Sequence, residues 1–211
     1  MSALTLAASA GGRVLATAAS ALAALRPAAK PLHPDGDVRI GRLERHGRGP
    51  RSGVPWLDEP GEDPVEVRLS RAIGLPEGLP DIHGLAVRVH GAEGPADVLL
   101  ASTGTGRVTR HVLTASREPD GRPLTTLLPY AGASGAIVLG ADSAGPDEYR
   151  LSWSHPARPW HEFGTLYLGP HTDVRIDFDP VLHQVPGLRQ YSWVTRLREP
   201  AYRTARRSRG D

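Results

Sequence analysis

Val65-Glu66-Val67-Arg68-Leu69-Ser70 is the stretch on which the fold turns. Apolar and polar residues alternate strictly, and a strand sends successive side chains to opposite faces. Val65, Val67 and Leu69 therefore share one face, and Glu66, Arg68 and Ser70 the other. That is half of a one-sided sheet with an apolar interior. Segments of similar character run from Asp37 to Arg45, Leu85 to His90, Asp97 to Ala101, Gly135 to Gly140, Glu148 to Ser154, Glu162 to Leu168 and Asp173 to Phe178. Eight short strand candidates punctuated by Gly and Pro predict an antiparallel barrel or sandwich. Arg107 to Ser116 and Leu124 to Tyr130 interrupt the series as a short helical or irregular excursion, while Gly47 to Gly53 and Asp58 to Pro64 read as flexible loops.

The 211 residues suit one domain with a tail. A hydrophobic fraction of 39% and a charged fraction of 23% fit a soluble globular chain, and 24 Gly with 20 Pro favour turns over long helices. The absence of Cys excludes disulfides, thiolate metal sites and a cysteine nucleophile, and leaves the redox compartment unreadable. Net charge is only +2, Lys30 is the sole lysine, and the basic excess is concentrated at the C-terminus. That distribution fits one anionic site or a basic tail.

Ser2 to Ala29 is Ala-rich, with Leu4, Leu6, Val14, Leu15, Leu22 and Leu25 at roughly helical spacing, so residues 1–29 read as an N-terminal helix or arm before a domain spanning 30–211. Gly11-Gly12-Arg13 interrupts the stretch and no basic segment precedes an apolar one, which disfavours a signal peptide. No apolar run is long enough to span a membrane, and a cytoplasmic location is expected.

Thr195 to Arg207 reads as a closing helix, with Pro200 tolerable only near its first turn, so the start could fall after Thr195. Residues four apart on a helix are neighbours, which puts Arg198 beside Tyr202. A guanidinium next to a phenol favours the phenolate, and a phenolate ligates ferric haem. The competing reading of Arg198 to Arg209 is a solvated or nucleic-acid-binding tail.

Three further segments resemble the haem catalases. Lys30-Pro31-Leu32-His33-Pro34-Asp35-Gly36, followed by an alternating strand, resembles their distal-histidine segment. Val67-Arg68-Leu69-Ser70, with Asp81, Gly84, Leu85, Ala86 and Val87, is similar to their Val-Arg-Phe-Ser strand and the segment after it. Phe178-Asp179-Pro180, Pro186-Gly187 and Arg198 to Tyr202 resemble, in the same order, their Phe-Asp-Pro, Pro-Pro-Gly and Arg-x-x-x-Tyr stretches. The resemblance runs from about Lys30 to Arg209 and implies a mainly β, α+β protein: an eight-stranded antiparallel catalase-like barrel with an N-terminal helix and a C-terminal closing helix.

It further implies haem b, with Tyr202 as the iron ligand, Arg198 supporting it, and Arg68, Lys30 and Arg209 serving the propionates. His33 would take a proton from the peroxide and return it to the departing oxygen, oriented by Ser70. Ser102 stands where catalases carry a distal Asn, Gly104-Thr105-Gly106-Arg107 replaces the aromatics that follow it, and Lys30 replaces an Arg. These departures point away from fast disproportionation of hydrogen peroxide and toward peroxidase chemistry on an organic hydroperoxide. The implied partner is a small peroxide, with nucleic acid not favoured and a homo-oligomer left open.

A second reading keeps the barrel without haem, as a module for a small apolar or lipid-like ligand. A third label borne by similar proteins, phosphodiesterase, finds no closely spaced His and carboxylate set here to hold metals.

Overall fold

The computed structural model describes residues 36–74, 78–91 and 94–209. The expected N-terminal helix, Lys30 and His33 lie outside them. Where the sequence alternates, burial alternates: Val65 and Val67 are buried while Glu66 and Arg68 are half-buried. The strands so formed are β1 (Asp37–Arg45), β2 (Gly61–Arg71), β3 (His83–Gly91), β4 (Gly94–Ser102), β5 (Leu124–Thr125), β6 (Tyr130–Gly132), β7 (Gly135–Gly145), β8 (Glu148–Ser154), β9 (His161–His171) and β10 (Arg189–Gln190). All named pairings are antiparallel.

The order β7-β5-β4-β3-β2-β1-β9-β8 closes on itself because β8 also pairs with β7, giving a closed eight-stranded barrel; β6 and β10 extend the sheet beyond β7. Eight strands enclose an interior just wide enough for side chains to fill. Here Leu43, Val67, Leu85, Phe163 and Leu166 fill it. The interior cavity, lined by Val87, Val98, Leu139, Leu151 and Phe163 among others, measures about 20 Å³, room for about one water.

Asp173 to Phe178, read above as a strand, is not one. Its alternation is real, with Ile176 and Phe178 buried and Val174 exposed. However, β1 is already paired on both sides, by β2 and β9, and a closed barrel has no free edge to accept another strand. The segment's polar groups bond to side chains instead: Asp177 O accepts from Arg88 Nη2 at 2.6 Å, and the Asp179 amide donates to the Asp97 carboxylate at 2.6 Å.

The expected loop Asp58 to Pro64 is also more ordered than its composition implies. A short helix α1 (Pro55–Asp58) precedes Gly61 to Pro64, which already belong to β2. Its Asp58 carboxylate accepts from the Ser52 and Gly53 amides at 2.7 and 2.8 Å, and Asp63 pairs with Arg45 at 2.7 Å.

The closing helix α2 (Ser192–Arg209) starts earlier than the Pro200 argument allows. Pro200 lies well inside it, where a proline forfeits one backbone bond. Burial of Val194 and Tyr202 against the molecule stabilises the helix despite that loss. Among the described residues no helix is long and apolar enough to cross a membrane.

Candidate functional site

The outer face of β2, β3 and β4 brings the small residues Gly84, Ala86 and Ala101 together. Cross-strand register sets Ser70, Gly84 and Ala101 in one row, Arg68, Ala86 and Leu99 in the next, and Glu66, Arg88 and Asp97 in a third. A Cβ on Gly84 would come within 2.7 Å of Ser70 Oγ, so the serine hydroxyl lies over the glycine and the surface there is a hydroxyl above bare backbone. Two elements cover this face. Ile176 and Phe178 pack on Ala86, Leu99 and Val38, while Val194 of α2 belongs with Leu127, Leu128 and Ala101 in a second cluster.

Arg68 spans the first of these regions. A Cβ on Gly36 would fall 2.8 Å from the Arg68 stem, and the guanidinium stands 5.2 Å from the Phe178 ring centroid. Arg88 approaches the same ring at 5.3 Å, so Phe178 is covered by two cations, a favourable arrangement for the electron-rich face of a ring.

The third row anchors the wall. Asp97 is fully buried and accepts two bonds of 2.7 Å from Arg88, one of 2.6 Å from the Asp179 amide, and faces His183 Nδ1 at 3.0 Å. The hydrogen bond to Asp97 holds the Arg88 guanidinium above its ordinary pKa although burial opposes it. This network fixes residues 177–183 to the barrel. Sequence reading missed it, yet a signal was present: Arg88 and Asp97 are opposite charges at equal distance from the Gly91/Gly94 turn.

On α2, Val194, Arg198 and Tyr202 fall at successive spacings of four. Val194 and Tyr202 are buried and Arg198 is half-buried, so this stripe faces the molecule while Trp193 and Leu197 face outward. The shared face expected for Arg198 and Tyr202 is therefore present. A residue with no sequence signal joins them: Tyr130 of β6, whose buried hydroxyl adjoins the Arg198 guanidinium, with Tyr202 and Asp97 close enough to act on it electrostatically. Burial pushes the Tyr130 phenol up, and Arg198 partly offsets this.

Ser102 sits apart from this face. Ala101 occupies the row of Ser70, so Ser102 points to the other side of β4, fully buried. Its hydroxyl donates to Thr114 O at 2.8 Å and accepts from the His83 amide at 3.1 Å. Arg209 ends α2, and nothing is described of its side chain. His33 and Lys30 lie outside the described residues.

Among solved structures, a bacterial catalase superposes on the chain with a TM-score of 0.55 at 12% identity, over 80% of this chain and 57% of that one. The fold is catalase-like. The chain spans a little over half the length of that catalase, and at this identity the likeness concerns the fold alone. No family model matches the sequence, and no curated protein matches it. Among the described residues of this catalase-like barrel, no group of three or more His, Asp or Glu is placed to hold a metal ion.

The donor chemistry on α2 fits haem. The buried Tyr202 phenol, on the helix stripe it shares with Arg198, is an oxygen donor of the type that ligates ferric iron, and the Tyr130 hydroxyl is a buried polar atom without a hydrogen bond of regular geometry. Arg68, on the same barrel face as Ser70, is of the type that binds carboxylates in a bidentate fork.

Proposed function

We propose that the protein is a haem-dependent peroxidase of catalase-like fold, acting on an organic hydroperoxide in preference to hydrogen peroxide. The observation that carries this reading is the inward stripe of α2, where Arg198 and Tyr202 lie against a barrel whose outer face presents Arg68 and Ser70. Tyr202 would hold the iron and Arg198 would keep its oxygen anionic. Arg68 would hold a propionate, with Lys30 and Arg209 the further candidates for that task. When bound, haem supplies the redox chemistry that cleaves the peroxide O–O bond.

The remaining work falls to the chain's own groups. His33 would accept the peroxide proton and return it to the leaving oxygen. Ser70, on the outer face of β2 with Arg68, would orient the imidazole. Ser102 is the weakest member of the set, because both of its hydrogen-bonding capacities are engaged inside the protein.

A ligand inside the barrel is poorly supported by comparison, since the interior cavity of 20 Å³ holds about one water. Titrating haem into the purified protein tests the proposal. The wild type should bind one haem with a Soret band, and Tyr202→Phe should lose at least tenfold in affinity. Equal binding by both proteins, or none by either, would overturn it.

A further inference from the structure

The face of α2 turned away from the barrel carries chemistry that the haem reading does not use. With about 3.6 residues per turn, Trp193, Arg196, Leu197, Pro200 and Arg203 fall on one side of the helix, opposite the stripe of Val194, Arg198 and Tyr202. All five are exposed, Trp193 and Leu197 by 37% each. Trp153 is buried and Trp56 and Trp160 are half-buried, so Trp193 is the tryptophan presented to solvent. Glu199, the single acid of the helix, is half-buried and lies at the edge of this face.

Six arginines and one glutamate lie between Ser192 and Arg209, a formal charge of +5. The whole chain carries +2, so everything outside α2 is net negative by three. A molecule divided in this way is drawn to an anionic surface by one side and held off it by the rest, which sets orientation as well as attraction. The apolar side chains decide what kind of surface it is. Arginines alone suffice for the phosphates of a nucleic acid, where Leu197 would have no role. Trp and Leu four residues apart among arginines are instead the composition of a helix that lies in a membrane interface. There an indole sits at the headgroup level, a leucine enters the acyl boundary and guanidinium forks take lipid phosphates.

We propose that the outer face of α2 is a docking surface for an anionic lipid membrane, with Trp193 and Leu197 entering the headgroup layer and Arg196 and Arg203 on lipid phosphates. The contact is peripheral, since α2 is too polar to cross a bilayer. It leaves the inward stripe in place on the barrel and does not depend on haem. Each arginine at an anionic bilayer strengthens binding about fivefold. Burying the leucine side chain contributes about tenfold.

The test adds the full chain to vesicles of mixed phosphatidylglycerol and phosphatidylcholine, and to vesicles of phosphatidylcholine alone, following tryptophan emission and co-sedimentation. The wild type should bind the anionic vesicles with a blue shift, bind the neutral ones at least tenfold more weakly, and lose affinity as salt screens the arginines. Trp193→Phe should keep most of the binding and lose the shift. Arg196→Gln with Arg203→Gln should weaken binding about twentyfold, and Leu197→Ser about tenfold. All of these positions are exposed, so unfolding curves should match wild type and separate lost docking from lost fold. Equal binding to both kinds of vesicle, a blue shift that persists in Trp193→Phe, or arginine variants that bind as wild type does would overturn the proposal. So would retention on duplex DNA, abolished by the same arginine changes, in a protein that ignores anionic vesicles.

Discussion

Replacing Asp97 with Ala removes the acceptor at the centre of the network that holds residues 177–183 to the barrel. The carboxylate is fully buried and receives two bonds from Arg88, each 2.7 Å, and one of 2.6 Å from the Asp179 amide. Its loss leaves a guanidinium that is 15% exposed without its counter-charge, and an amide without its acceptor. Breaking a buried pair from one side costs about 3–5 kcal/mol, and the residual exposure of Arg88 argues for the lower end, about 3 kcal/mol. For a chain of this size that is a fall in Tm of roughly 10 °C.

The exposed pair Arg42–Glu62, 3.4 Å apart with side chains 51% and 62% exposed, supplies the contrast. Glu62→Ala should change stability by less than about 0.5 kcal/mol. Urea unfolding followed by circular dichroism measures both. Removing both partners, as Arg88→Leu with Asp97→Leu, should recover part of the loss, since no buried charge is then left alone. An Asp97→Ala variant within about 1 kcal/mol of wild type would refute the reasoning, because the network would then be incidental to the docking of Phe178.

Arg110 is 3% exposed and bonds Ser154 Oγ at 2.8 Å, Gly106 O and Thr105 O at 3.0 Å and Arg158 O at 3.2 Å, while stacking on Trp160 at 4.5 Å. A lysine has three donors in place of the fork, so Arg110→Lys should destabilise by about 2–3 kcal/mol and red-shift tryptophan emission. His111 has its pKa lowered, chiefly by burial, against the opposing bond to Leu127 O. The unfolded chain therefore binds this proton more readily, and the stability His111 contributes is present above its unfolded pKa of about 6.5 and is lost as pH falls toward the folded value. Unfolding at pH 7 and pH 5 should show this slope, and His111→Gln should lack it. Gly84→Ala brings a Cβ within 2.7 Å of Ser70 Oγ but no closer than 3.8 Å to other atoms. Only a hydroxyl must move, so Tm should change by no more than about 3 °C while peroxidase activity falls, if Ser70 orients His33 as proposed.

Local periodicity made most of the barrel readable. β1 and β8 have the bounds expected, because the two-residue alternation of Asp37–Arg45 and Glu148–Ser154 is set by neighbours in the chain. The two- and three-residue strands β5, β6 and β10 were not readable, since they exist only through partners far away in sequence, as in Ser102 opposite Leu124. Asp173 to Phe178 shows the converse: the pattern of a strand is present, but closure of the barrel leaves it no edge.

The candidate site divides in the same way. The spacing of Arg198 and Tyr202 is a local property of a helix and survives Pro200, whereas Tyr130 reaches Arg198 only through the fold. Arg88 and Asp97 were legible in principle from their symmetry about a turn. Ser102 was expected at the site from its place in a segment resembling that of catalases, and a shift of one residue sends a strand side chain to the opposite face, as it does here relative to Ala101 in the row of Ser70.

Resonance Raman spectroscopy of the ferric haem complex addresses the central claim most directly. Excitation in the charge-transfer region should enhance tyrosinate ring modes in the wild type, and Tyr202→Phe should abolish them. Tyrosinate modes that persist in Tyr202→Phe, or a wild-type haem complex without them, would contradict the account.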